Sequence, residues 1–309
     1  MKKVSVVVPT YNEEKNVSLI YDRLKNVFKD LPYMLEIIFI DNYSTDCTRT
    51  VIEELCQIDD RVRAIFNARN FGFSRSVYHG LISADGDCAV LVFADMQDPP
   101  EVIKEFLAEW EKGSKVVVGM KSHSRESRWM YFIRSCYYKL IRKISDVEHI
   151  EQFDGFGLYD ASFIKVLREL DDPMPYLRGI VAELGYSIST VQYTQAVREH
   201  GTSSFNFFKM YDVAMMGITS YSKVFIRMAT FVGFLLSLMC VVISAGTFFL
   251  KMFWWDHFPI GTAAIIIGVF FLGAIQLFFI GMLGEYLLGV SVRSLHRPLV
   301  VEERRINFH

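Results

Sequence analysis

Residues 228–250 (MATFVGFLLSLMCVVISAGTFFL) carry no charged side chain, and neither do residues 258–284. A bilayer core needs roughly 20 apolar residues per helix, so either run can cross one. A helical hairpin buried in a soluble core is the competing reading, but two uncharged runs of this length disfavour it. Between them, Lys251 to His257 holds Trp254 and Trp255, the belt chemistry of a tight interfacial turn. Lys223 and Arg227 precede the first run, and Arg293, Arg297, Arg304 and Arg305 follow the second. The positive-inside rule then puts both termini on the cytoplasmic side of an inner membrane. Gly268, Gly273, Gly281 and Gly284 permit close helix packing, which would suit a homo-oligomer formed through these segments. Glu285 lies near the cytoplasmic end, where it can snorkel or pair between subunits. The expected organisation is a cytoplasmic domain over 1–203, a juxtamembrane amphipathic helix over 204–224, two spans within 225–290, and a cytoplasmic tail over 291–309.

The first two thirds has a different grammar. Short β-branched runs at Val4–Val8, Leu35–Ile40, Val62–Phe66, Cys88–Ala94 and Lys115–Gly119 alternate with helical stretches. Asn12 can cap a helix with Glu13 and Glu14 in its first turn, favourable to the dipole. Ser44, Thr45 and Asp46 open a second helix, with Val51, Ile52 and Leu55 on one side. Phe71–Ala84 and Pro99–Glu111 supply two more. Strands alternating with helices predict an α/β domain around a mostly parallel sheet with right-handed crossovers. No Gly-x-Gly-x-x-Gly follows the first strand and no Gly-Lys-Ser/Thr loop occurs, so the two common phosphate fingerprints are missing. A net charge of −2 argues against nucleic acid as the main partner. Cys47, Cys56, Cys88, Cys136 and Cys240 are odd in number and lack paired metal spacing, which reads as reduced thiols. The N-terminus turns polar after a short apolar run, as a strand does and a signal peptide does not.

Leu91 to Pro100 (LVFADMQDPP) is an apolar run that breaks into Asp95-Met96-Gln97-Asp98 and then two prolines, which suit the first turn of a helix. Asp95 and Gln97 thus lie just past the carboxyl end of a buried strand, where open α/β sheets bind ligands. Their oxygens suit a hard divalent cation shared with substrate phosphates, although an acidic loop that merely caps a helix would look the same. Pro9-Thr10-Tyr11-Asn12-Glu13 and Asp41-Asn42 fall at other strand ends of the same sheet. Together these loops offer a ring to stack on, an acid and amides to read a base or ribose, and a carboxylate for a metal. A nucleotide diphosphate requires that set.

The blocks VVVPTYNEE, IIFIDNYSTDCT, NARNFGFSRSVYHGL and FADMQDPPEVI resemble, in this order, those of the family 2 glycosyltransferases, nearest to the polyprenyl-phosphate branch. The resemblance extends over nearly the whole chain. It implies a GT-A fold, Rossmann-like, and an inverting transfer from a nucleotide diphosphate sugar (a UDP-sugar ahead of a GDP-sugar) to a polyprenyl phosphate, for cell-surface glycan assembly. It also implies Mg²⁺ or Mn²⁺ as cofactor. By motif match Pro9, Tyr11, Glu13, Ile40, Asp41, Asn42, Ala94, Asp95 and Arg198 would bind the nucleotide sugar. Asp95 and Gln97 would hold the metal, and Asp95 and Asp154 would be catalytic. Four positions depart from the pattern: Phe93 replaces the first acid of Asp-x-Asp, and Asn42 the second acid of an Asp-Asp pair. Asp154 is displaced by one position in Phe153-Asp154-Gly155-Phe156-Gly157, and Ser204 stands where a lysine is usual. A membrane assembly protein that kept the fold without the activity, or a transferase with another lipid or glycan acceptor, are the alternatives these departures raise.

Residues 126–145 (ESRWMYFIRSCYYKLIRKIS) read as a basic amphipathic helix. Trp129, Ile133, Cys136, Tyr137, Leu140 and Ile144 form a stripe, with Arg128, Arg134, Lys139, Arg142 and Lys143 mostly off it. Such a helix lies in a membrane interface, or packs on the sheet with a solvated basic face. Arg128, Arg134 and Arg198 are the candidate ligands of the lipid phosphate. His200 and Gly201 to Ser204 continue a polar loop after Arg198. Glu183, in a mostly apolar stretch, is a candidate perturbed acid or a satisfied structural carboxylate.

Overall fold

The computed structural model describes residues 1–121, 153–170, 172–173, 175–196 and 298–308, with scattered positions between 231 and 294. Its strands are β1 (Lys2–Thr10), β2 (Tyr33–Asp41), β3 (Val62–Asn67), β4 (Cys88–Leu91), β5 (Val116–Lys121), β6 (Gly157–Asp160), β7 (Ile188–Tyr193) and β8 (Glu302–Ile306). Its helices are α1 (Glu14–Phe28), α2 (Thr48–Ile58), α3 (Phe73–Ile82), α4 (Ile103–Glu111, entered through a 3₁₀ turn at Pro100–Val102), α5 (Ala161–Leu170) and α6 (Leu177–Glu183). The strands form one sheet in the order β7-β5-β6-β4-β1-β2-β3-β8. β1 pairs in parallel with β2 and β4, β2 with β3, and β5 with β7.

The central strands are mostly apolar because helices cover both faces of the sheet; the buried exceptions, Ser5 and Glu36, are hydrogen-bonded to each other. Val4, Val6 and Val8 face α1, α2 and α4, where Ile20, Leu24, Ile52, Phe106 and Leu107 complete one buried layer. Val7, Ile38 and Ile40 face α3, α5 and α6, with Tyr78, Leu81, Phe163 and Leu167 in the other. Each such side chain removed from water contributes about 1.5–3 kcal/mol. Gly80 inside α3 costs helix stability, but a Cβ there would sit 2.6 Å from Val7 Cγ1, so only glycine lets α3 approach β1 this closely.

The five expected strands and four expected helices are present, with ends displaced by a few residues. β6 and β7 were not anticipated. β6 runs antiparallel between β4 and β5, so the sheet is mostly and not wholly parallel. β8 is the larger surprise: the stretch read as a cytoplasmic tail adds an antiparallel edge strand to β3. Its sequence, EERRI, has no apolar alternation, since an edge strand is held by backbone pairing and is commonly charged.

Among the described residues no helix is long and apolar enough to cross a membrane. The expected hairpin at 228–250 and 258–284, the helices at 126–145 and 204–224, and Arg128, Arg134 and Arg198 lie outside the described residues or nearly so. The membrane hairpin therefore rests on the sequence alone. Cys47, Cys56 and Cys88 carry free thiols.

Candidate active site

Parallel pairing brings the carboxyl ends of β1, β2 and β4 to one edge, with Thr10 opposite Asp41 and Val7 opposite Leu91. The chain leaves β1 through Pro9 and Thr10 into Tyr11, which is exposed. Asn12 adopts φ 56°, a left-handed value that asparagine tolerates. Its N–H donates to Ser44 Oγ at 2.9 Å, and its Oδ1 accepts from Thr45 N–H at 2.8 Å. Glu13 N–H donates to Thr48 Oγ1 at 2.8 Å, while the Glu13 carboxylate accepts from Asn16 within its own helix.

At the end of β2 the polar side chains are hydrogen-bonded within the protein. Asp41 is fully buried. Its carboxylate accepts from Tyr43 N–H (3.1 Å), Ser44 N–H (3.0 Å), the Ser44 hydroxyl and Arg49 Nε (2.9 Å). Asn42 Oδ1 accepts from Phe71 N–H at 3.0 Å and Asn67 Nδ2 at 3.2 Å, and its Nδ2 donates to Asn70 Oδ1 at 3.0 Å. Asp41 and Asn42 thus shape the loops, and Ile40 and Ala94 sit in the core. The rings exposed at this edge are Tyr11 and Tyr43, the latter with φ 69° and 5.4 Å from the Arg49 guanidinium. Neither Tyr43 nor Arg49 was singled out from the sequence.

Past β4 the backbone turns through Met96, whose φ of 60° is unusual for a residue with a long side chain. The Met96 side chain is buried, which pins the turn, and Asp95 Oδ1 accepts from Gln97 N–H at 3.3 Å. Asp98 is 1% exposed and accepts from the Tyr193 hydroxyl at 2.5 Å. Burial first, then the nearby Asp154 carboxylate, pushes the Asp98 carboxyl up to about 7. Burial and the Asp98 charge hold the Tyr193 hydroxyl far above the usual phenol range. Lys121, at the end of β5, reaches Asp154 at 2.6 Å. The corner therefore gathers Asp95, Asp98 and Asp154 around Lys121 and Tyr193. Sequence reasoning had named Asp95, Gln97 and Asp154 but not the last two. The signal for Asp98 was its place in the same motif; Lys121 and Tyr193 had none.

Phe93 is half-buried and packs 5.6 Å from the ring of Phe73, which is exposed at the start of α3. An aromatic pair thus stands where a second carboxylate would reach the corner. Glu183 is exposed at the end of α6, so it lacks the burial that made it a candidate acid.

Residues 5–168 match the family described as Glycosyl transferase family 2. The chain belongs to glycosyl transferase family 2. It is similar to the bactoprenol glucosyl transferase of Shigella phage SfV, at 31% identity over 298 residues, 96% of each chain. It is also similar to the SfII prophage-derived bactoprenol glucosyl transferase of Shigella flexneri, at 30% identity over 96% of each. The crystal structure of mannosyl-3-phosphoglycerate synthase from Rubrobacter xylanophilus superposes with a TM-score of 0.50, covering 69% of this chain and 71% of that one. At 16% identity that likeness concerns the fold, which is GT-A-like as the motifs implied.

In this glycosyltransferase, described residues that precede the expected lipid-phosphate arginines in the sequence border the corner. Lys121, seven positions before Arg128, is ion-paired there with Asp154. Ala196, two positions before Arg198, donates its N–H to the Gln97 carbonyl at 2.9 Å. Among the described residues no group of three or more His, Cys, Asp or Glu is placed to hold a metal ion. Asp95 and Gln97 are oxygen donors at the mouth of a negatively charged corner. That chemistry fits a hard divalent cation that keeps most of its coordination for water and phosphate.

Proposed function

We propose that this glycosyltransferase moves a sugar from a nucleoside diphosphate sugar, a UDP-sugar ahead of a GDP-sugar, to a polyprenyl phosphate, inverting the anomeric centre. The observation that carries this reading is the corner itself. It lies at the carboxyl ends of the strands and is bordered by Lys121 and Ala196, which precede Arg128 and Arg198 in the sequence. Names of relatives that match over 96% of both chains support the acceptor class.

Tyr11 and Tyr43 offer rings for the base, on loops held by Asp41, Asn42 and Arg49. Asp95 and Gln97 face the diphosphate and would hold Mg²⁺ or Mn²⁺, which when bound neutralises charge on the leaving group. Asp98 is fixed by Tyr193 and holds the turn that aims Asp95. Lys121 orients Asp154, which lines the corner on the acceptor side. Arg128, Arg134 and Arg198 position the lipid phosphate for in-line attack. That acceptor is already anionic at neutral pH, so a strong general base is less needed than for a sugar hydroxyl. The uncharged runs at 228–250 and 258–284 anchor the domain in an inner membrane, with both termini in the cytoplasm.

The test is a transfer assay on the full chain with a panel of nucleotide sugars and short prenyl phosphates. Formation of a prenyl-phosphate sugar that is lost in Asp95→Ala is the expected result. Transfer only to a glycan or other non-phosphate acceptor would refute the acceptor assignment.

A further inference from the structure

The C-terminal strand does more than close the sheet. Arg49 lies between the rings of Tyr43 and Phe66, at 5.4 and 5.2 Å, and its guanidinium makes three directed contacts. Nε donates to Asp41, and Nη2 donates to the Asn67 carbonyl at 3.0 Å and to Glu303 at 2.9 Å. Asp41 anchors the Tyr43–Ser44 turn through its two N–H groups, and Asn67 donates to Asn42. Glu303 therefore ends a chain of contacts that starts at the exposed edge of the nucleotide loops. The pairing of β3 with β8 shifts register between Phe66 and Asn67, where Arg49 takes hold of the Asn67 carbonyl.

β8 is itself firmly seated. Ala68 N–H donates to the Val301 carbonyl at 2.9 Å, and Asn307 Nδ2 donates to the Cys56 and Val62 carbonyls at 2.8 Å. Glu302 meets His79 of α3, and Arg304 meets Glu53 of α2. An arginine that lost Glu303 would keep Asp41 but could swing toward solvent, because one of its contacts on the outer side would be gone.

We propose that Glu303, on the C-terminal strand, is a positioning residue for the donor nucleotide: it fixes Arg49, which holds Asp41 and the Tyr43–Ser44 turn in the shape that receives the base. This rests on the donor reading above and deepens it. The half of the site that receives the nucleotide is completed by β8, which follows in sequence the segments assigned to the membrane.

The experiment compares Glu303→Gln, Arg49→Gln, their double variant and Arg304→Gln in the full chain. Donor KM, kcat, the Kd for uridine and guanosine diphosphates, and Tm are measured for each. Glu303 is exposed, so losing this screened charge-assisted contact predicts a donor KM and nucleotide Kd raised about 3-fold in Glu303→Gln. Its kcat stays nearly unchanged, and the double variant is no worse than Arg49→Gln alone. Glu303→Asp restores part of the affinity. Arg304→Gln loosens the same strand by releasing Glu53; it shares the Phe66 ring with Arg49 but none of Arg49's hydrogen bonds, so it lowers Tm and leaves donor KM in place. Equal effects of Glu303→Gln and Arg304→Gln on KM, or no effect of Glu303→Gln, would overturn the positioning role while leaving donor binding intact. Failure of the unmodified chain to bind any nucleoside diphosphate would overturn the donor reading, and this inference with it.

Discussion

The two halves of the site edge handle their charges in opposite ways. At the β1–β2–β3 end the buried Asp41 receives a guanidinium, two backbone N–H groups and a hydroxyl. At the β4–β6–β5–β7 end, Asp95, Asp98 and Asp154 crowd together beside Lys121, and the Asp98 carboxyl is driven up to about 7. The first half has its shape before any ligand arrives. The second retains negative charge that a cation would relieve. A loop network that must present rings in one geometry gains from full hydrogen bonding. A corner that holds a cation, as proposed above, would gain from carboxylates in excess of its one lysine.

Breaking the corner produces the largest effect on rate. Asp95→Ala should lower transfer by about 10²- to 10³-fold, the range seen when a principal electrostatic contact is removed. Its melting temperature should hold or rise, because one crowded charge is gone. Parallel transfer and thermal melts check both.

The burial of Asp98, and after it the repulsion from Asp154, should also appear in stability. The folded Asp98 pKa of about 7 lies above its ordinary value of 3.8, so the folded state binds the extra proton. Its contribution is fully present below about pH 4 and is lost as pH rises toward 7, by up to roughly 4 kcal/mol. Asp98→Asn keeps an oxygen for the Tyr193 hydroxyl and removes the titration. Urea melts across that window should show stability falling with pH in the parent and a flatter profile in the variant. The same slope in both would discard the assignment.

At the other half, Asp41→Asn should cost about 3 kcal/mol, since it leaves the Arg49 guanidinium without its buried anion. The nucleotide Kd should weaken in step with the loss of the Tyr43–Ser44 turn. Here a urea denaturation curve is the primary readout and activity the secondary one, the reverse of Asp95→Ala.

The smallest effect sharpens the contrast. Phe93→Asp puts a second carboxylate beside Asp95, and the half-saturating Mn²⁺ concentration should fall about 10-fold, equivalent to roughly 1.4 kcal/mol. Lost packing against Phe73 should lower Tm at the same time. An unchanged metal titration would mean that Phe93 does not border the cation.

How much of this was legible depended on how far apart the interacting residues lie. β1, β2 and β4 each hold a mostly apolar run, and Asp95, Gln97, Tyr11 and Asp154 sit in short motifs, so a local pattern was enough. β8 was missed because EERRI carries no buried face to create a pattern. Asp41 was read as an acid for the base, yet its carboxylate turns inward, a direction that no sequence pattern records.

The order of residues alone determined that this chain would build a layered α/β sheet and gather acidic and amide loops at the strand ends. Period, turn chemistry and motif order are all local properties. Only the tertiary structure decided which carboxylates would be neutralised and which left crowded. Arg49 and Glu303 are 254 positions apart, and Asp98 and Tyr193 are 95. Partners at such separations are chosen by sheet topology, and the energy of a charge depends on what topology places beside it.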